Sequence, residues 1–309
     1  MAARRRGKKK SGRSYAWRYR GRIVACVFVE VIIICALVIM IGWNKGVKEW
    51  FEQFEQPVLK EVDISGINSP NAILMQARGG KILGEINGEA QIYPASMTKI
   101  MTVILGIENF DDLDEKITLT NEMFTGLYEQ DATQAGFQPG EEVRVIDLLY
   151  GAMLPSGAEC CIALADTISG SEADFAELMN KKARKLGMEN THFCDSTGLH
   201  NPDHYSTVKD IAVLMKYCIK NDTFREIVET SRHSTGVTNI HPDGITYYST
   251  MFKNLSDPTV TGGKILGGKT GYTSEAGHCL VSFAEIEGRE YIFVSAGASG
   301  ADGNTIPHI

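Results

Sequence analysis

A run of 21 residues, "IVACVFVEVIIICALVIMIGW" from Ile23 to Trp43, carries a single charge, Glu30. At 1.5 Å rise per residue a helix of that length matches a hydrocarbon core about 30 Å thick. The run therefore reads as a transmembrane helix, and it divides the chain into a short basic tail and a long acidic remainder. Glu30 at that depth requires protonation, a place near an interface, or a partner. Residues 1–22 hold ten Arg or Lys and no acid, whereas the chain from Asn44 onward holds 21 basic and 37 acidic side chains. Basic residues ahead of the span predict a cytoplasmic N-terminus. No small-residue cleavage site comes promptly after it, so the expectation is an uncleaved signal anchor with everything after Trp43 outside the cytoplasm. A cleaved signal peptide is the alternative.

The part beyond the span carries about −16 at neutral pH, because carboxylates titrate near pH 4. That excess of acid argues against nucleic acid as a partner. Composition is globular, with 43% hydrophobic and 22% charged residues. Residues 44–61 are amphipathic; Trp50, Phe51 and Phe54 suit either a membrane surface or a short helical stalk, and the stalk is preferred. A folded domain is expected over residues 62–309. Its five cysteines, Cys160, Cys161, Cys194, Cys218 and Cys279, are too scattered for a disulfide scaffold and read mostly as small buried hydrophobes, with one bridge possible.

Strand-like segments bracket a helical block. "NAILMQARGGKILGEIN" reads as two strands joined at Gly79-Gly80. Helices are expected from Ser96 to about Asn109, from about Val145 onward through "GAECCIALADTI", across "SEADFAELMNKKARKLGM" after Ser171, and across "TVKDIAVLMKYCIKN". Two closing strands fit "GHCLVSFAEIEG" and "REYIFVSAGA", with Gly288 in their turn. This order predicts an α+β fold whose antiparallel sheet is drawn from both ends of the chain. Met97, Met101, Met153 and Met179 are expected in the core, and Asp131, Glu141 and Glu142 on a solvated acidic face.

"YPASMTKIMTVILGI" places Ser96 and Lys99 one helical turn apart on one face. A serine hydroxyl needs a base before it attacks a carbonyl, and a neutral amine serves once burial or a neighbouring cation lowers its pKa from about 10.4. The apolar "IMTVIL" supplies the burial, and amides at the helix start suit an oxyanion. Ser-x-x-Lys alone is weak: "STVK" at Ser206–Lys209 matches too, and reads as a capping box between Thr207 and Asp210. The second signal is "GGKTGYTSEAGH". Glycine in a strand permits close approach of another backbone, so a peptide can lie along that edge, with Lys269 and Thr270 meeting a negative group on it. His200 and His204 near Cys194 lie in an Asn-Pro-Asp loop and read as loop packing, not as a zinc site.

Taken in order, "SMTK", "LLYGAMLPSGAE", "GLHNPDHYSTVKDIA" and "GGKTGYTSEAG" resemble the D-alanyl-D-alanine carboxypeptidases, low-molecular-mass penicillin-binding proteins of the serine β-lactamase-like superfamily. The resemblance covers roughly residues 62–297. It implies a DD-peptidase/β-lactamase-like domain with an antiparallel sheet flanked by a helical cluster. Ser96 would be the acylated nucleophile, Lys99 its base, and Ser156 the relay of a proton to the leaving D-alanine. Lys269 would hold the relay's electrostatics, Thr270 would contact the substrate carboxylate, and Gly271 belongs to the same motif. The amides of Ser96 and Tyr272 would form the oxyanion hole. The implied substrates are peptidoglycan stem peptides ending in D-Ala-D-Ala, with β-lactams as acylating inhibitors and no cofactor or metal.

Two departures stand out. The family's second motif is usually Ser-x-Asn, but here it reads Ser156-Gly157-Ala158, leaving Glu159, a water or slow turnover as ways to make good the missing amide. The chain also stops at "GNTIPHI", where the family would continue, so truncation is expected. The alternatives to a carboxypeptidase are a catalytically weak penicillin-binding sensor or scaffold and a β-lactamase.

Overall fold

The computed structural model describes residues 61–255 and 257–300. The basic tail, the apolar span, the stalk up to residue 60 and the segment 301–309 lie outside the described residues.

Strands β1 (Asn71–Gln76), β2 (Ile82–Ile86), β7 (Thr259–Val260), β8 (Gly263–Thr273), β9 (Gly277–Ile286) and β10 (Arg289–Ala298) form one antiparallel sheet, ordered β2-β1-β10-β9-β8-β7. The sheet does join the two ends of the described domain, since Asn71 on β1 lies opposite Ala296 on β10. Local sequence explains the hairpins. Gly79 and Gly80 both adopt positive φ between β1 and β2. Ile286 pairs with Arg289, which leaves Glu287-Gly288 as a two-residue turn with φ of 50° and 72°, the left-handed geometry that matches strand twist. Alternate residues Val281, Phe283, Ile292, Val294, Ile73 and Met75 are buried against the helices.

The helical layer comprises α1 (Lys99–Asn109), α2 (Val145–Met153), α3 (Ala158–Ser169), α4 (Glu172–Leu186), α5 (Val208–Cys218), α6 (Asp222–Glu229) and the single turn α7 (Thr250–Lys253). Every residue of α1 from Lys99 to Gly106 is buried, as suits a helix apolar all round at the centre of a cluster. Helix α5 lies across β1, β9 and β10. Ser171 caps α4 by accepting from the Asp174 amide, and Gly187 closes it at φ 79°. Thr207 likewise caps α5, accepting from Asp210 N at 3.0 Å. The Asp210 carboxylate turns to Asn190 N and Thr191 Oγ1 instead of completing a capping box.

Several elements differ from the expectations of the sequence. The apolar stretch from Val145 is two helices, broken at Leu154–Gly157 where Ser156 takes φ 72°. The short pairs β3 (Lys116–Thr118) with β4 (Glu142–Arg144) and β5 (Arg232–Ser234) with β6 (Thr246–Tyr248) are additions to the expected strands. Asp131 and Glu142 are exposed as expected, but Glu141 is fully buried. It accepts from Gln138 N, Thr238 Oγ1 and the His241 ring, and these partners offset its desolvation. The four expected core methionines are buried. The five cysteines among the described residues are free, and of these only Cys194 is not buried.

Candidate active site

The chain reaches Ser96 through an unusual turn. Ala95 has φ 47°, and Ala95–Thr98 form a 3-10 turn before α1 begins at Lys99, where the sequence suggests one continuous helix. With three residues per turn, side chains at i and i+3 eclipse. That stacks Lys99 over Ser96, and Lys99 Nζ lies 2.9 Å from Ser96 Oγ. The ammonium donates in that contact; once Nζ is neutral, the hydroxyl donates instead.

Ser156 arrives from the break between α2 and α3. Its φ of 72° is costly for a side-chain-bearing residue, and it aims the hydroxyl at Ser96, 3.0 Å from Oγ to Oγ. Lys269 Nζ on β8 donates to Ser156 Oγ at 3.0 Å and to the Thr270 carbonyl at 2.8 Å. Lys269, Ser156, Ser96 and Lys99 thus form one hydrogen-bonded chain. Both lysines are buried, at 1% and 3% exposure. Burial lowers the Lys99 pKa, opposed by nearby Cys161, Asp195, Glu159 and Cys160. Burial lowers Lys269 further, and the Lys99 charge adds to the effect.

These shifts carry a stability consequence. A lysine whose folded pKa lies below its free value of 10.5 is less protonated when folded than when unfolded. Stability therefore rises with pH across the window from the folded pKa up to the free one. Lys269→Met keeps the bulk and removes the buried amine. It is expected to raise the melting midpoint at pH 7 by about 2–4 °C, to flatten the climb in stability toward alkaline pH, and to slow acylation. A lower midpoint in a thermal melt would contradict the assignment of burial as the cause.

The strand β8 brings the remaining expected residues to the same place. Strand β7 covers only Gly263 and Lys264, and the Ile265 amide donates to the Pro258 carbonyl just before it, so from Leu266 onward the only strand paired with β8 among the described residues is β9. Its other edge is open beside Ser96. A Cβ at Gly271 would sit 2.9 Å from the Ser96 amide nitrogen and 3.1 Å from the Ala95 methyl, a contact only glycine allows. Thr270 Oγ1 meets Thr250 Oγ1 at 2.7 Å. Tyr272 comes next, 58% exposed and with its ring tilted against His278.

Ala158 begins α3 and is buried, its amide donating to the Thr133 carbonyl at 2.8 Å. Glu159 does not replace the missing amide side chain. Its Oε1 accepts from the amides of Ala135 and Gly136 at 2.6 and 2.9 Å, which ties it to the neighbouring loop. The group that meets Lys99 is one that sequence reasoning misses: the Thr197 carbonyl, 2.7 Å from Nζ. A backbone acceptor leaves no signature in residue type. Only its place in the "DSTGL" turn, far from Ser96 in sequence, hints at it. His204 faces Thr98 and Asp195 through its two ring nitrogens, and His200 stands edge-on to Tyr93. Among the described residues no group of three or more His, Cys, Asp or Glu is placed to hold a metal.

Comparison with known proteins agrees with this geometry. The family described as D-alanyl-D-alanine carboxypeptidase, a peptidase S11 family, matches residues 58–300. The chain is 35% identical over 233 residues to D-alanyl-D-alanine carboxypeptidase DacF of Bacillus subtilis, covering 74% of this chain and 57% of that protein. It is 33% identical over 262 residues to DacC of Escherichia coli, covering 77% of this chain and 58% of the relative. It thus spans under two thirds of the length of these curated relatives. The crystal structure of the Streptomyces K15 DD-transpeptidase superposes with a TM-score of 0.69 at 29% identity, covering 77% of this chain and 93% of that one. An antiparallel sheet against a helical cluster, a serine–lysine pair at its centre and a family match across the whole described domain lead to one conclusion: this chain belongs to the D-alanyl-D-alanine carboxypeptidase family.

Proposed function

We propose that the protein is a serine-type D-alanyl-D-alanine carboxypeptidase that trims the terminal D-alanine from peptidoglycan stem peptides. The observation that carries this reading is Lys99 Nζ at 2.9 Å from Ser96 Oγ, beside the open edge of β8. A stem peptide adds to that edge as a further strand. Neutral Lys99 takes the proton as Ser96 Oγ attacks the carbonyl carbon between the two D-alanines. The amides of Ser96 and Tyr272 receive the oxyanion. Ser156 passes a proton to the departing amine, with Lys269 holding the charge balance, and D-alanine leaves. Water then attacks the acyl ester and restores Ser96. Thr270, Lys269 and Gly271 line the place of the substrate's carboxylate end. A β-lactam acylates the same oxygen. The apolar run 23–43 serves as the membrane anchor, with the N-terminus cytoplasmic and the catalytic domain beside the wall.

The test pairs two assays. Mass spectrometry after benzylpenicillin treatment should find the adduct on the peptide containing Ser96. A peptide ending in D-Ala-D-Ala should lose one D-alanine. Labelling without D-alanine release favours the second reading, a penicillin-binding sensor, for which Ala158 in place of an amide side chain is the supporting observation. Brisk nitrocefin turnover would instead indicate a β-lactamase. An adduct elsewhere than Ser96 removes the proposed nucleophile.

A further inference from the structure

The loop that supplies the Thr197 carbonyl is organised by a single carboxylate. Asp195 Oδ1 accepts from Thr197 N, Thr197 Oγ1 and Gly198 N, each at 2.7 Å. Asp195 Oδ2 lies 3.1 Å from His204 Nδ1, and His204 Nε2 lies 2.9 Å from Thr98 Oγ1 in the turn that carries Ser96. Thr102 Oγ1, on α1, donates to the Ser196 carbonyl at 2.6 Å, and the Ser196 hydroxyl donates to Glu172 at the start of α4. Gly198, at φ 79°, presses on the Ala95 carbonyl so closely that a Cβ would overlap its oxygen. One side chain therefore folds the turn that touches Lys99 on one side and the backbone behind Ser96 on the other.

We infer that Asp195 is a positioning residue for Lys99: its carboxylate folds the Asp195–Gly198 turn so that the Thr197 carbonyl meets Nζ and holds the amine against Ser96. This rests on the reading of Lys99 as the base. A lysine side chain has several rotatable bonds, and a fixed acceptor behind Nζ removes orientations that point its lone pair away from the hydroxyl. The missing Ser-x-Asn amide makes this second anchor the more necessary. Asp195 also contributes charge. Burial alone would raise its pKa, but the hydrogen bonds and charge of His204, with Thr197 and Gly198, hold it at about 2, so it stays ionised. The other titratable groups around Lys99 are Glu159, Cys160 and Cys161 on α3 and Lys269 on β8.

The charge and the hydrogen bonds separate in two variants. Asp195→Asn keeps an oxygen for the three donors and loses the charge. Asp195→Ala loses both. The rate of Ser96 acylation by a fluorescent penicillin, measured over roughly pH 5 to 10, is the readout. Removing an anion lowers the Lys99 pKa, so the acid limb for Asp195→Asn should move to lower pH by about one unit with its plateau preserved. The plateau for Asp195→Ala should fall on the order of 10²-fold. Should Asp195→Ala fail to fold, the limb of Asp195→Asn decides the matter alone. An unmoved limb in Asp195→Asn overturns the inference, whether or not its rate falls. An unchanged plateau in a folded Asp195→Ala does the same. Wild-type labelling at Ser96 alongside either result confines the failure to this inference, whereas absence of wild-type labelling removes the catalytic reading as well.

Discussion

Arginine in place of Lys99 is expected to slow acylation of Ser96 by about 10³-fold or more. The site asks for a cation that can become neutral. Burial lowers the Lys99 pKa, which favours the neutral amine that the attack needs. A guanidinium keeps its proton at any pH the protein survives, and it offers no lone pair to the hydroxyl 2.9 Å away. Lys99→Ala tests the same point without added bulk and should lose activity to a similar extent. The wild-type rate should climb with pH along a limb set below 10.5, the free value, and neither variant should show that limb. Stopped-flow labelling with a fluorescent penicillin measures all three proteins. If Lys99→Arg reacts within tenfold of wild type, another base activates Ser96.

The second large effect is expected at Gly198. Its φ of 79° is left-handed, and an added methyl would overlap the Ala95 carbonyl oxygen. Ala95 itself has φ 47°, so the turn before Ser96 is already under tension and has little room to yield. Gly198→Ala combines backbone strain with overpacking against main chain. A loss of about 3 kcal/mol is the expected cost, with penicillin labelling slowed because Ser96 moves relative to β8. Gly187, also left-handed at φ 79° but with nothing near its missing Cβ, is the control. Gly187→Ala should cost only the backbone strain, about 1 kcal/mol. Urea unfolding of both variants compares them. Equal losses would mean that the loop does not press on Ala95 in solution.

The elements that are readable in the sequence share one property: their signals are local. Ser96 and Lys99 announce each other because they are three positions apart. The glycines of "GGKTG" mark a strand that something must approach, and Gly271 against the Ser96 amide is that approach. The terminal strands are short runs rich in apolar and strand-forming residues beside turn glycines, so the sheet is predictable from both ends. The features that escape depend on distant partners. Three-residue strands such as Arg232–Ser234 and Thr246–Tyr248 are too short to show a period. The break before α3 is marked locally by Pro155 and Gly157, but the left-handed φ of Ser156 within it is not, because it serves aim and not propensity. Glu141 reads as solvated, since its partners Thr238 and His241 lie about a hundred positions away. Thr197 is invisible because its contribution is a carbonyl that every residue possesses.

The placement of β1 between β2 and β10 bears on how the molecule comes into being. Asn71 and Ala296 face each other 225 positions apart. Ring closure over so long a stretch is entropically expensive and kinetically late. During synthesis the helical cluster, with Ser96 and Ser156 in it, is complete before β9 and β10 exist to fix β8 in place. A growing polypeptide thus holds Ser96 before β9 has paired with β8. Under the proposed function, a chain that has not yet reached β10 is expected to be inactive.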